Sequence, residues 1–348
     1  MSGIKNFVPA MRYCVAAVFL LLATAPAVIA QVNTTAIDVP VEIRLTPDKN
    51  TIMVGEPLFL AFAVTNLSGE KLCLGVGGDY RNRFGRPDSF QVAVKSEDGK
   101  QLPKIDVLNM GGFVGCEPIE PGATYSVRLF LPHWATIERA GGYRVNATRH
   151  MSFSNYQPGE SRRPKYTMVA DVNAEITVVP ADENKMGGVI NSLGSIMLDA
   201  SDPRALESTT ALVSIHDKRT ISYFAEAVRN FREFEFGDFP NGAYIIAARA
   251  IAALATYDDD RAIEALRGAM NSPSEETRSN VAYALADSPH KSAVTLLLKM
   301  QDDHYWAVRF KVAQRLKDVK TKEARATLQK LLQGGVEHVR NAAKESLN

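Results

Sequence analysis

The residues that could do chemistry fall into a few groups. The histidines are His133, His150, His216, His290, His304 and His338. Two imidazoles on one helix face would hold a metal, but none of these has a second histidine at ligand spacing. His290 and His304 sit in consecutive turns, where solvated side chains are expected. Asp258, Asp259 and Asp260 place three carboxylates before a helix. Such a group attracts Ca²⁺, yet the spacing and the glycine of an EF-hand loop are missing. A helix dipole favours acids there without any ion. Arg81, Arg83 and Arg86 interleave with Tyr80 and Phe84, and Arg162, Arg163 and Lys165 follow Phe153 and Tyr156. Cations beside aromatics on a loop suit acidic peptides or sugars. The alternative for each is a solvated loop.

Nucleophile, zinc and phosphate signatures are missing: the chain has no G-x-S-x-G, H-E-x-x-H, Walker loop or C-x-x-C. The Gly-Gly pairs read as turns, because none opens a helix after a strand. No enzyme activity, cofactor or metal is expected.

The first thirty residues have a basic start at Lys5 and Arg12, then the apolar run CVAAVFLLLATAPAVIA with small residues at its end. This reads as a secretory signal over 1–30, with export to a bacterial periplasm or medium as the consequence. The alternative is a retained anchor, although Pro26 breaks the run. No later segment is apolar enough to span a bilayer. Loss of Lys5 and Arg12 takes the formal charge from +1 to −1. A near-neutral chain argues against nucleic acid as a partner. Cys73 and Cys116 are then the remaining cysteines, and in an oxidising compartment they are expected to pair. The alternative is two buried thiols. Asn33, Asn66 and Asn146 open N-x-Ser/Thr triplets, which are glycan acceptors only in a host with that machinery.

The elements that must position these groups change character along the chain. Over 31–180 the period is two: VEIRLTP, PLFLAFAVTNLS, SFQVAVKSEDGK, TYSVRLFLP, GYRVNATRH and AEITVVP alternate apolar and polar residues between turn-forming residues. About seven short strands of this kind predict two packed antiparallel sheets. The phrases VGEPLFLAFAVTNLSGEKLCL, IEPGATYSVRLFLPHW and AGGYRV resemble bacterial Ig-like domains. That resemblance implies an Ig-like antiparallel β-sandwich and carries no activity.

A linker and a first helix are expected over 181–198, and beyond them the period becomes helical. NGAYIIAARAIAALATYDDDRAIEALRGAMN, SPSEETRSNVAYALADSPHKSAVTLLLKMQD and DHYWAVRFKVAQRLKDVKTKEARATLQKLLQ align without gaps, and GGVEHVRNAAKESLN begins a further copy. Arg278, Arg309 and Arg340 recur every 31 residues. Leu254, Leu285, Leu316 and Leu347 form one column. Ala262, Ala293 and Ala324 form another, and Leu266, Leu297 and Leu328 a third. A diverged copy starts near Asp199, with Leu212, Thr220 and Phe224 at or beside the columns. Each unit is a helix pair, expected at 306–316 and 322–332 in the third copy. An Asp or Ser should cap each first helix. One pair cannot bury its stripe alone, so the pairs must stack.

DDHYWAVRFKVAQRLKD is similar to the D-x-x-x-x-V-R-x-x-A-x-x-x-L signature of short HEAT-like repeats of the PBS-lyase type. The resemblance spans 199–348 and implies a right-handed α-solenoid of HEAT/armadillo type. It also implies that Arg278, Arg309 and Arg340, with Asp303, form a ladder in which arginine bonds an aspartate or backbone of the adjacent unit. The rival role is an anion-binding strip. Some proteins with these repeats resemble chromophore lyases, which act in the cytoplasm.

The function expected is a non-enzymatic exported scaffold. It would hold a protein partner on a concave face built from second helices and on the Ig-like loops. Contact candidates are Arg81, Arg83, Arg86, Arg162, Arg163, Arg261, Arg267, Lys299, Lys330 and Trp306. The alternative is a carbohydrate- or peptide-binding, inhibitor-like module led by the sandwich, with a cell-envelope glycan as its ligand.

Overall fold

The computed structural model describes residues 39–77, 86–87, 89–107, 114–155, 164–233 and 242–348. The N-terminal region contains β1 (Val41–Pro47), β2 (Thr51–Met53), β3 (Phe59–Asn66), β4 (Leu72–Gly77), β5 (Phe90–Ser96), β6 (Val114–Ile119), β7 (Thr124–Phe130), β8 (Gly141–Asn155) and β9 (Tyr166–Val179). One sheet has the order β1-β3-β7. The other has the order β2-β9-β8-β4-β6, and β5 also pairs with β8. The long β8 carries β9 along one edge. Its other edge serves β5 over Tyr143 to Arg149 and β4 over Phe153 to Asn155.

Alternation sets which face is buried. In β3, Leu60, Phe62 and Val64 are fully covered. They share a core with Val92 and Val94 of β5, Val145 and Ala147 of β8, and Val172 and Ala174 of β9. Two sheets that each present one apolar face bury it by packing on each other. Most pairs are antiparallel, as expected, but β2 runs parallel to β9, with Thr51 opposite Thr177. The chain leaves the first sheet after Pro47 and joins the second without reversing, so it meets the last strand in the same sense.

Cys73 and Cys116 lie on the neighbouring strands β4 and β6, with Cα atoms 5.4 Å apart, and form a disulfide. Asn66 is not an acceptor surface. It is fully buried, and its amide nitrogen donates to Glu70 O (2.8 Å) and Ile119 O (2.9 Å). Its Oδ1 accepts from Ser68 N and Oγ. The triplet N-L-S is therefore a turn lock, and Asn33 lies outside the described residues.

The helical region contains α1 (Glu183–Leu198), α2 (Ala205–Ser214), α3 (Thr220–Phe231), α4 (Ala243–Leu254), α5 (Asp260–Ala269), α6 (Glu275–Asp287), α7 (Ala293–Leu298), α8 (Trp306–Arg315), α9 (Lys322–Leu332) and α10 (Glu337–Leu347). A 3₁₀ turn, Leu316–Asp318, extends α8. Successive first helices α2, α4, α6, α8 and α10 stack in a row, and α1, α3 and α5 stack beside them. The repeat columns are the core of this stack. Leu254, Leu285, Ala262, Ala324, Leu266 and Leu297 have no exposed surface, and Leu212, Thr220 and Phe224 of the diverged copy are equally covered. An alanine column lets second helices approach closely.

The two regions share packing. Met53 of β2 belongs to the helical core with Met186 and Ile190. Arg128 of β7 forks onto Asp48 at 2.5 Å and reaches Glu207 of α2 at 3.2 Å, which ties the sheets to the helices. Asp48, then Glu207, holds the Arg128 guanidinium well above its usual range despite partial burial. Among the described residues no helix is long and apolar enough to cross a membrane.

Candidate functional site

The groups singled out for chemistry separate in the fold. Asp259 caps α5, accepting from Arg261 N (3.0 Å). It also pairs with the Arg261 side chain and with Lys218, which hold its carboxyl far below the usual range. Asp260 faces another way, toward His290. Among the described residues no group of three His, Cys, Asp or Glu side chains converges on one point. His290 is not a solvated turn residue: only 6% of it is exposed. Its Nδ1 accepts from Ser292 N (3.2 Å), so its Nε2 carries the proton and donates to Asp260 Oδ1 (3.1 Å) in the preceding unit. His304 is exposed and pairs with Glu275 (2.9 Å).

The arginine column has one shared duty and one singular contact. Arg278 donates to Ser272 O (2.8 Å), Arg309 to Asp303 O, and Arg340 to Gly334 O (3.0 Å). Each thereby bonds the carbonyl six residues before it, in the turn that opens its own helix. Only Arg278 reaches the next unit, through Nε to Asp303 Oδ2 (2.8 Å) and Nη2 to Oδ1 (3.2 Å). The bond to an adjacent unit that the resemblance implies is made by Arg278, while Arg309 and Arg340 bond carbonyls of their own turns. The residue equivalent to Asp303 is Gly334 in the following unit, so Arg309 has no carboxylate there. Capping differs too. Ser274 caps α6, but α4, α8 and α10 have no side-chain cap, whereas Asp259 and Thr321 cap the second helices α5 and α9. Asp303 instead accepts from Tyr305 N (2.8 Å) one step outside α8.

The cationic candidates also divide. Arg81, Arg83, Arg162 and Arg163 lie outside the described residues. Arg86 is not a surface contact, being 4% exposed. It donates to Ile105 O (2.8 Å) and His133 O and lies over the ring of Trp134 at 5.3 Å. A guanidinium can replace its hydration with carbonyls and an aromatic face, so this basic loop residue was drawn inward. On the second helices, Arg261 pairs with Asp259, Arg267 with Glu264, and Lys330 with Asp302. Lys299 is exposed and has no carboxylate within ion-pair reach among the described residues.

Among the described residues, the exposed aromatic side chains lie on the first helices. Tyr283 of α6 and Trp306 of α8 are 45% and 41% exposed, although both are large side chains. A line of contacts joins them. The Lys311 ammonium lies 3.7 Å from the Tyr283 ring centre and 5.6 Å from that of Phe310. Phe310 and Trp306 are 6.3 Å apart, and Trp306 and His338 of α10 are 5.9 Å apart. Trp306 and Phe310 share a helix face because they are four residues apart. Sequence reasoning singled out Trp306 but missed Tyr283 and Phe310. The signal available was an aromatic at an outward position in adjacent units.

Comparison with known proteins bears on the helical region. The family model described as HEAT repeats matches residues 242–317 and 269–348. No curated protein matches the chain. Among solved structures, the CpcE–CpcF complex of phycocyanin lyase from Nostoc sp. PCC7120 is similar at 19% identity, covering 47% of this chain and 99% of that one, with TM-score 0.35. Human deoxyhypusine hydroxylase is 19% identical over 45% of this chain and 61% of its own, with TM-score 0.31. A designed armadillo repeat protein in complex with the peptide (KR)4 is 20% identical over 47% of this chain and 84% of its own, with TM-score 0.31. The family match and the buried repeat columns together make the C-terminal region a HEAT/armadillo-like α-solenoid, preceded by a β-sheet region.

Proposed function

We propose that the protein is an exported, non-enzymatic scaffold that holds a protein partner on its solenoid, with an Ig-like two-sheet region as the second module. The observation that carries this reading is the strip Tyr283–Lys311–Phe310–Trp306–His338 across α6, α8 and α10. Exposed Trp and Tyr beside a cation have the composition of interface hot spots, where a few aromatics supply most of the affinity. The strip moves the contact surface from the second helices, where three of the four basic candidates already hold carboxylates. Export rests on the N-terminal apolar run and on the disulfide, which suits an oxidising compartment.

The test is photo-crosslinking with the full chain in the native envelope, comparing wild type with Trp306→Ala and Tyr283→Ala. Loss of one crosslinked protein in both variants, with retention in Lys299→Ala, supports the reading. Crosslinks that survive both aromatic substitutions refute it.

A further inference from the structure

We propose that the cleft between the two regions is a binding site for a small carboxylic acid with an apolar body. The cleft has a volume of about 750 Å³, and the sheets and the helices each supply one wall. That size suits a drug-sized ligand. Ile52 and Leu58 line the first wall, and Val213 of α2 lines the second. The walls are mostly apolar, so they suit a ligand body with few polar atoms.

Arg249 of α4 supplies the selective group. It stands two residues past Ala247, which occupies the position of the turn-bonding arginines in later units. It is therefore released from that duty and lines the cleft. Its Nη1 donates to Thr210 Oγ1 (2.5 Å) and more weakly to Leu206 O (3.4 Å). Among the described residues no carboxylate lies within ion-pair reach of it, and burial pushes its pKa down with no acid opposing the shift. Arg128, at the same junction, holds two carboxylates. Among the described residues the one acid lining the cleft, Glu56, is occupied by Lys49 and by Met53 N. His133 on the opposite wall stays neutral at pH 7: burial first, then the charges of Arg86 and Arg249, push its pKa down to about 4. A half-buried guanidinium beside apolar walls is costly without an anion, and a planar carboxylate relieves that cost through paired N–H···O bonds.

Calorimetry on the full chain with 2-naphthylacetate, dodecanoate and the neutral 2-naphthylacetamide tests the site. The naphthyl acid should bind at least about tenfold more tightly than its amide. Arg249→Met should erase that preference, and Arg249→Lys should restore part of it. Val213→Trp, placed on a partly exposed wall, should block binding while leaving the melting temperature unchanged. The proposal is overturned if neither acid binds below about 1 mM. Equal affinity for acid and amide, or undiminished acid binding by Arg249→Met, also overturns it. So does a preference for the free C-terminus of an apolar pentapeptide over both acids. None of these residues belongs to the aromatic strip, so the two readings fail separately.

Discussion

Asp303→Ala is the most informative single change in the solenoid. Arg278 and Asp303 have side chains only 7% and 10% exposed, and they meet through two charge-assisted bonds. Removing one partner of a covered ion pair costs about 3–5 kcal/mol, because the other charge stays desolvated. Arg278 keeps the carbonyls of Ser272 and Pro273, which offset part of that loss, so about 3 kcal/mol is expected. For a region of this size the melting temperature should fall by about 6–12 °C. Arg309→Ala loses two carbonyl contacts at a less covered site and should cost about 1 kcal/mol. The assay is helical circular dichroism on melting, with Arg278→Ala and the double variant completing a mutant cycle. Acid titration adds a sign. Burial alone would raise the Asp303 pKa, but Arg278 and then the Tyr305 amide overcome it and hold it below the ordinary value. The pair's contribution is therefore full above the unfolded carboxylate pKa of about 3.9 and is lost as pH falls below it. A coupling energy under about 0.5 kcal/mol, or an Arg309→Ala cost equal to that of Asp303→Ala, would refute the reasoning.

Three further outcomes are expected. Gly194→Ala should destabilise the protein by about 1–3 kcal/mol in urea denaturation, because an added Cβ would lie 2.3–2.6 Å from the Tyr223 ring, and this reverses the usual helix-propensity gain. The depressed His133 pKa makes stability fall as pH drops from about 6.5 to about 4. Allowing for solvent screening, the loss is on the order of 1–2 kcal/mol, and His133→Gln should abolish that segment of the stability–pH curve. Reducing the bridge between Cys73 and Cys116 opens a loop of 43 residues and should lower the stability of the sheet region by about 4 kcal/mol, read from tryptophan fluorescence on unfolding.

Much of the architecture was legible in local pattern. Alternation placed β1 at Val41–Pro47, and the helical period placed α9 at Lys322–Leu332. The 31-residue columns marked the residues that the stacked helices bury. These features depend on which face of an element is apolar, and periodicity along the chain encodes that directly. Partner identity was less legible. Arg278, Arg309 and Arg340 are equivalent in sequence, yet only Arg278 finds a carboxylate across the unit boundary. Caps were no more legible: Ser274 caps a first helix, but Asp259 and Thr321 cap second helices, and α4, α8 and α10 have no side-chain cap.

The sequence by itself therefore determined a strand-rich region, a helical repeat, its core and its missing catalytic motifs, all of which follow from residue type and spacing. Tertiary structure alone decided that Arg86 and His290 are buried structural groups, that Tyr283 and Trp306 lie along one line, and that Arg249 lines a cleft with no carboxylate in ion-pair reach among the described residues. Burial and pairing of a long polar side chain depend on what packs over it from distant chain positions. Here the decisive neighbours lie on other strands, other repeat units or the opposite region, beyond the reach of any local period.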